Sequence, residues 1–303
     1  MDTKQSLARL SQDLSLLGVE PAEAAREAKL ILSALHNCSP AELFFYGERE
    51  LDEAAQERIW KIMEIRTKRY PLQYILEETE FMSLTFEVNP AVLIPRGDTE
   101  RLVELAIELM QPLEQPLLAD IGCGSGCIAI SLAHYLPRAS LVATDISSKA
   151  LAIAQKNAIR HNLAERIAFL EGDLLEPLLG ANLRCHLIVS NPPYIPSADL
   201  AGLAPELHYE PRLALDGGPD GLAFYRRLIK TAPPALLPGG YLLLETGAEQ
   251  KEAVSRLLSD SGFRIVQCIK DYGGNHRGVL GQFTIHNLKN CILCTSYFVL
   301  FTP

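Results

Sequence analysis

From Leu93 onward, short apolar runs alternate with helix-patterned stretches, and this alternation limits the possible folds more than any other feature. Runs of that kind, bounded by turn residues, belong to a parallel sheet covered by helices on both faces. Strands are predicted at Leu117 to Asp120, Ser140 to Asp145, Ile167 to Asp173, His186 to Ser190, Tyr241 to Thr246, Arg264 to Ile269 and Val279 to Ile285. Too few residues separate the last two for a crossover helix, so that pair is predicted to be antiparallel. The expected class is α/β, with a seven-stranded sheet.

The first part of the chain reads differently. From residue 4 to about 76, apolar residues recur at helical spacing with no alternating run. Pro21 stands where a first helical turn tolerates it, and Ser39-Pro40-Ala41-Glu42 has the capping-box form. Leu51 to Tyr70 reads as one long amphipathic helix ended by Pro71. In Glu80 to Val88, Phe81, Leu84, Phe86 and Val88 alternate with polar neighbours, which predicts a hairpin. The expected organisation is a helical domain over 1–76, a β-hairpin linker over 77–92, the sheet domain over 93–285 and a tail over 286–303. Cys291 to Phe301 in that tail is nearly all apolar but shorter than the roughly 20 residues that cross a bilayer. Docking on the domain surface, association and an extension without a role are all compatible with it, and the last is preferred.

No apolar stretch in the 303 residues is long enough to span a membrane, and Met1 to Gly18 carries Lys4, Arg9 and Asp13 among isolated leucines rather than a signal-peptide core. Seven scattered cysteines make no disulfide framework and suit a reducing compartment, so the chain reads as cytoplasmic. Cys291-x-x-Cys294 lacks the second half that a zinc site needs, and the histidines form no ligand-spaced cluster; no metal is expected. A net charge of −9 disfavours wrapping a nucleic acid duplex. Arg58, Lys61, Arg66, Lys68 and Arg69 form a local basic strip, readable as a solvated helix face or as a partner contact.

Two loops carry the chemistry. Asp120-Ile121-Gly122-Cys123-Gly124-Ser125-Gly126 joins the first strand to a helix, and its glycines allow a tight turn and close approach to a ligand. It reads D-x-G-x-G-x-G rather than the dinucleotide fingerprint G-x-G-x-x-G, and an acid at the strand end suits a cationic ligand better than a pyrophosphate. Asp145 ends the second strand, where an acid can bind both ribose hydroxyls of an adenosine; Asp173, ending the third, is placed for an adenine amino group. Asn191-Pro192-Pro193-Tyr194 follows the fourth strand. Because proline has no N–H, this turn offers the Asn191 side-chain oxygen and the Pro192 carbonyl as acceptors, with an aromatic face from Tyr194, a pattern that selects an NH2 group. A stiff loop without chemistry would have the same sequence.

Together these residues resemble the class I S-adenosylmethionine-dependent methyltransferases, which have a Rossmann-like domain, and N-P-P-Y resembles those that methylate planar nitrogen. Val92 to Glu100, Asp216-Gly217-Gly218-Pro219-Asp220-Gly221-Leu222 and Asp271-Tyr272-Gly273-Gly274-Asn275-His276-Arg277 are similar to segments of the HemK/PrmC family. That resemblance covers the chain to about residue 285. Two departures stand out: Gly97 occupies a position where the family often has proline, and the tail has no counterpart.

The resemblance implies transfer of a methyl group from S-adenosyl-L-methionine, leaving S-adenosyl-L-homocysteine, to the Gly-Gly-Gln glutamine of class-1 peptide chain release factors. On this reading Gly122, Cys123, Gly124, Ser125 and Gly126 cradle the methionine part and Asp120 accommodates its ammonium. Asp145 holds the ribose, and Asp173 with Leu174 borders the adenine. Asn191 and Pro192 orient the amide beside the cofactor, Pro193 stiffens the turn and Tyr194 packs on the amide plane. Thr99 and Glu100 either close over the cofactor or belong to a helix start capped by Asp98 or Thr99. The helical domain selects the partner, with the basic strip as its candidate contact. The rival reading is adenine-N6 or cytosine-N4 methylation of a nucleic acid, since a flipped base presents a similar amine.

Overall fold

A computed structural model describes residues 1–271 and 273–284; Tyr272, the expected strand end at Ile285 and the tail 286–303 lie outside the described residues. The chain divides into two units, Met1–Glu78 with Ala204–Tyr209, and Thr79–Leu203 with the residues from Glu210 onward.

The smaller unit contains α1 (Thr3–Leu16), α2 (Pro21–His36), α3 (Glu53–Arg66), α4 (Leu72–Leu76) and a 3-10 turn over Glu42–Tyr46. Its starts obey local chemistry. Asp2 and Gln5 form a capping box on α1, Pro21 opens α2, and Ser39 and Glu42 satisfy each other's backbone donors as the sequence predicted. Leu14, Ala28, Ile31, Leu32 and Leu72 are fully buried at its centre.

The predicted helix over Leu51 to Tyr70 stops at Arg66, and the basic strip does not form as expected. Arg66 is 1% exposed, donates from Nε and Nη2 to Glu27 at 3.0 and 2.9 Å, and also meets Glu206. Arg69 donates to both carboxylate oxygens of Glu206 at 2.6 and 2.9 Å, and Lys61 pairs with Glu57. Burial of an arginine requires such partners. Arg66 and Arg69 are therefore internal ties rather than a partner-contact surface, and residues 204–209 join the helical unit through them.

The larger unit begins within the expected hairpin, β1 (Glu78–Phe81) and β2 (Leu84–Glu87). The hairpin belongs with the sheet rather than standing apart as a linker: Glu87 N donates to Asn157 Oδ1, and Met82 N to Glu100 Oε1. There follow α5 (Gly97–Met110), β3 (Leu117–Ile121), α6 (Cys127–Tyr135), β4 (Ser140–Asp145), α7 (Ser148–Arg160), β5 (Ile167–Glu171), α8 (Glu176–Gly180) and β6 (Cys185–Ser190). The chain continues through α9 (Arg212–Leu215), α10 (Ala223–Thr231), β7 (Leu236–Glu245), α11 (Lys251–Asp260), β8 (Phe263–Lys270) and β9 (His276–Phe283).

The seven long strands form one sheet in the order β5-β4-β3-β6-β7-β9-β8, parallel except for β9, which runs antiparallel to both neighbours. All five residues of β3 are buried, as its central place requires. One apolar layer joins the sheet to α5, α6 and α7; another joins its opposite face to α8, α10 and α11. Sequential strands spread to opposite sides of β3, with β4 on one edge and β6 on the other. Open α/β sheets bind ligands at that switch point, beyond the strands' carboxyl ends.

Candidate active site

At the switch point the loop after β3 and the turn after β6 lie side by side. Asp120 is in register with Val189, and Ser190 Oγ donates to Ile121 O at 2.7 Å. Beyond them opens a cavity of about 250 Å³ lined by both loops.

Gly122 and Gly124 have φ of +73° and +54°, where side chains are strained. A Cβ on either would meet no atom within 4 Å and would stand in open space. The loop is held from outside by Gly122 N and Cys123 N, which donate to Thr144 O at 2.8 and 2.9 Å. Burial keeps the thiols of this segment neutral, pushing Cys123 well up and Cys127 to about 12.

The three strand-end acids occupy different environments. Asp120 is fully buried and outside the cavity lining; its Oδ2 accepts from Ala129 N at 3.0 Å, while the buried Oδ1 has no partner. Burial, helped by repulsion from Asp145, raises Asp120 to about 7. Asp145 lines the cavity and braces the glycine loop, accepting from Gly124 N and Ser147 N at 2.9 Å each. Asp173 also lines the cavity but is paired with Arg227. Leu174 follows with a left-handed φ of +51°, steadied by Thr144 Oγ1, which donates to its carbonyl at 3.0 Å.

Asn191, Pro192 and Pro193 line the same cavity. Asn191 Nδ2 donates to Thr99 Oγ1 at 3.3 Å, so its Oδ1 is left as an acceptor. Tyr194 is outside the lining, half-buried against the core on the α10 and α11 side. Burial first, then Glu245, pushes its phenol up to about 12. Its backbone anchors the turn: Gln250 Nε2 donates to Tyr194 O at 2.9 Å, and Ile195 N to Leu215 O at 3.0 Å.

The remaining motif residues hold these loops. Asp216 accepts from Ser197 Oγ and Gly218 N; Arg277 bridges Asp98 and Asp271 at 3.0 and 2.9 Å. The helix cap expected from Asp98 or Thr99 does not form, since α5 has no side-chain cap; Thr99 lines the cavity with its hydroxyl turned to Glu245, and Glu100 holds the hairpin. Sequence reasoning missed Glu210, which receives Ile94 N at 3.1 Å and Arg96, and Glu245, which ends β7. Glu245 could have been found by the signal that marked Asp145, an acid at the end of a buried strand.

A glycine cradle with open space before it, an acid at the end of the next strand and an unpartnered buried carboxylate oxygen behind the loop fit an adenosyl amino acid with a cationic head. An acceptor-bearing turn beside that cradle fits a planar amide or amine. Among the described residues no three His, Cys, Asp or Glu are placed to share a metal, and no helix is long and apolar enough to cross a membrane.

Comparison with known proteins finds two family matches in the chain. Residues 5–76 match the family described as PrmC N-terminal domain, and residues 101–204 match the methyltransferase small domain. A release factor glutamine methyltransferase of Moorella thermoacetica is 48% identical over 278 residues, 91% of this chain and 97% of that protein. One from Geobacter sulfurreducens is 45% identical over 88% of this chain and 91% of its own length. Among solved structures, the hMettl16 catalytic domain superposes with a TM-score of 0.55 at 16% identity, covering 75% of this chain and 82% of that one, which speaks for the fold alone.

Proposed function

This chain belongs to the release factor glutamine methyltransferase family, and from that premise we propose that it methylates the side-chain nitrogen of the Gly-Gly-Gln glutamine in class-1 peptide chain release factors, in the cytoplasm, with S-adenosyl-L-methionine as donor. The observation that carries the reading is the shared cavity: the glycine cradle of Gly122 and Gly124 and the acceptors of Asn191 and Pro192 open into one space.

The cofactor, when bound, supplies an electrophilic methyl group on a sulfonium. Gly122 to Gly126 hold its amino acid end, with Asp120 drawing the ammonium from behind the loop. Asp145 takes the ribose, and Asp173 with Leu174 borders the adenine. Asn191 Oδ1 and the Pro192 carbonyl accept from the two N–H groups of the substrate amide. That arrangement does two things. It fixes the nitrogen in one orientation, and alignment of reactants alone can be worth about 7 kcal/mol or more. It also places partial negative charge where positive charge grows on a nitrogen whose lone pair is delocalised. Pro193 stiffens the turn, and Tyr194 anchors it through its carbonyl, which accepts from Gln250 Nε2.

Incubation with methyl-labelled S-adenosylmethionine and either a class-1 release factor or unmethylated DNA, followed by peptide mass spectrometry, tests the reading. Label is expected on the Gly-Gly-Gln glutamine. Label on DNA, or none on either with cofactor bound, would overturn it. Asn191→Ala is expected to keep cofactor affinity and lose about 100-fold or more in kcat; near-normal turnover would remove Asn191 from the mechanism.

A further inference from the structure

Behind the Asn191 turn three side chains stand in line, and a single proton decides their arrangement. Thr99 and Glu245 are each 2% exposed, with Thr99 Oγ1 at 2.6 Å from Glu245 Oε2 and Asn191 Nδ2 at 3.3 Å from Thr99 Oγ1. A threonine hydroxyl has one proton to give, and an ionised carboxylate can only accept. Facing ionised Glu245, Thr99 must donate to it, and toward Asn191 it can then only accept. Asn191 must therefore turn its NH2 to Thr99 and its Oδ1 away. The opposite amide orientation would set two oxygens against each other with no proton between them.

We infer that Thr99 and Glu245 are positioning residues that lock Asn191 with its acceptor forward, and so make the site selective for an NH2-bearing substrate. The inference rests on the amide-methylation reading, because it assumes that Asn191 acts as an acceptor. Protonation of Glu245 undoes the lock. The acid can then donate to Thr99, whose own proton becomes available to Asn191 Oδ1, and the reversed amide presents donors to a substrate NH2 group that also has only donors.

The surroundings of Glu245 place that event near neutral pH. Burial, with a smaller push from Asp98, raises it to about 7 against the lowering effects of Thr99, Arg277 and Arg96. Tyr194, Tyr225 and Cys127 also face it, with Tyr194 and Cys127 pushed up to about 12 and Tyr225 well up, so they stay neutral through that range. Asp120 rises to about 7 as well, which makes a Glu245 variant necessary to separate the two.

Wild type, Thr99→Val, Thr99→Ser and Glu245→Gln should be compared in release-factor methylation, with kcat and KM separated, and in calorimetric binding of S-adenosylhomocysteine. The side-chain amide resonance of Asn191, identified by its loss in Asn191→Ala, reports the hydrogen bond directly. Thr99→Val is expected to lower kcat about 100-fold with cofactor affinity retained, Thr99→Ser to restore most of it, and the Asn191 resonance to move with pH through about 7 only when Glu245 is present. Wild-type kcat in Thr99→Val, equal losses in the valine and serine variants, or an Asn191 resonance indifferent to pH would each overturn the inference. The wild-type titration carries the test if the valine variant does not fold. A wild type that methylates no release factor while its Asn191 resonance titrates as expected would refute the reading of substrate and leave the positioning supported.

Discussion

Replacing Gly221 with alanine should disable methyl transfer from outside the cavity. Gly221 has a φ of +72°, and an added Cβ would lie 2.3 Å from Tyr194 O, 2.6 Å from Gln250 Nε2 and 3.3 Å from Pro196 Cδ. The first two are hydrogen-bonded to each other at 2.9 Å, so neither can swing away freely. If the backbone stayed in place, the left-handed conformation would cost about 1–2 kcal/mol and the overpacking about 1–3 kcal/mol. A domain with about 5–15 kcal/mol of stability survives such a loss. Moving the Tyr194 carbonyl out beyond 3.0 Å, from 2.3 Å, relieves the clash, and the rigid Pro192-Pro193 pair carries that movement to Asn191. A displacement of this size at a reacting group costs about 100-fold. The expected result is a kcat about 100-fold lower, a Tm lower by about 5–15 °C and unchanged binding of S-adenosylhomocysteine. Wild-type kcat would refute the reasoning, and so would loss of cofactor binding in a folded protein.

Gly124→Ala should behave oppositely, because its Cβ meets nothing within 4 Å: Tm should fall by no more than the left-handed cost, while calorimetry shows cofactor affinity at least about tenfold weaker. Glu27→Ala leaves Arg66 buried with only the more exposed Glu206 for a carboxylate, and should destabilise the helical unit by about 3–5 kcal/mol, read by hydrogen exchange in α1 and α2. Glu245 and Asp120 have folded-state pKa values raised to about 7 from 4.5 and 3.8, so they favour the fold below their unfolded values and that contribution is lost as pH rises through 7. Their share of the Tm against pH should decline from about pH 4 to about pH 7 and then level off, and Glu245→Gln should make the decline shallower, leaving the Asp120 part.

The strands were legible because burial on both faces leaves the same mark in each. Leu117 to Asp120 and Ser140 to Asp145 are observed to within a residue. Where turn residues enter a strand the mark fades. β7 begins at Leu236, five positions before the predicted Tyr241, because Pro238, Gly239 and Gly240 lie within it and its pairing with β6 shifts register between Cys185 and Leu187. The end of α3 was misplaced for a related reason. Spacing alone carries the pattern on to Tyr70, but Arg69 adopts a left-handed φ of +60° and directs its guanidinium to Glu206.

What the sequence hid is pairing over long separations. The basic strip looked solvated because no acid lies at helical spacing from Arg66 and Arg69; the acids that neutralise them are 39 and 137 positions away. The same holds behind the active site, where Asn191 meets Thr99 across 92 positions and Thr99 meets Glu245 across 146. Motif spacing named the group proposed to face the substrate, since N-P-P-Y states its acceptors locally. It could not say which way its amide would turn, because that depends on a hydroxyl at the start of α5 and a carboxylate at the end of β7, brought together only when the sheet closes. On the proposed reading, selectivity for an NH2 group is thus a property of the folded sheet as much as of the four-residue turn.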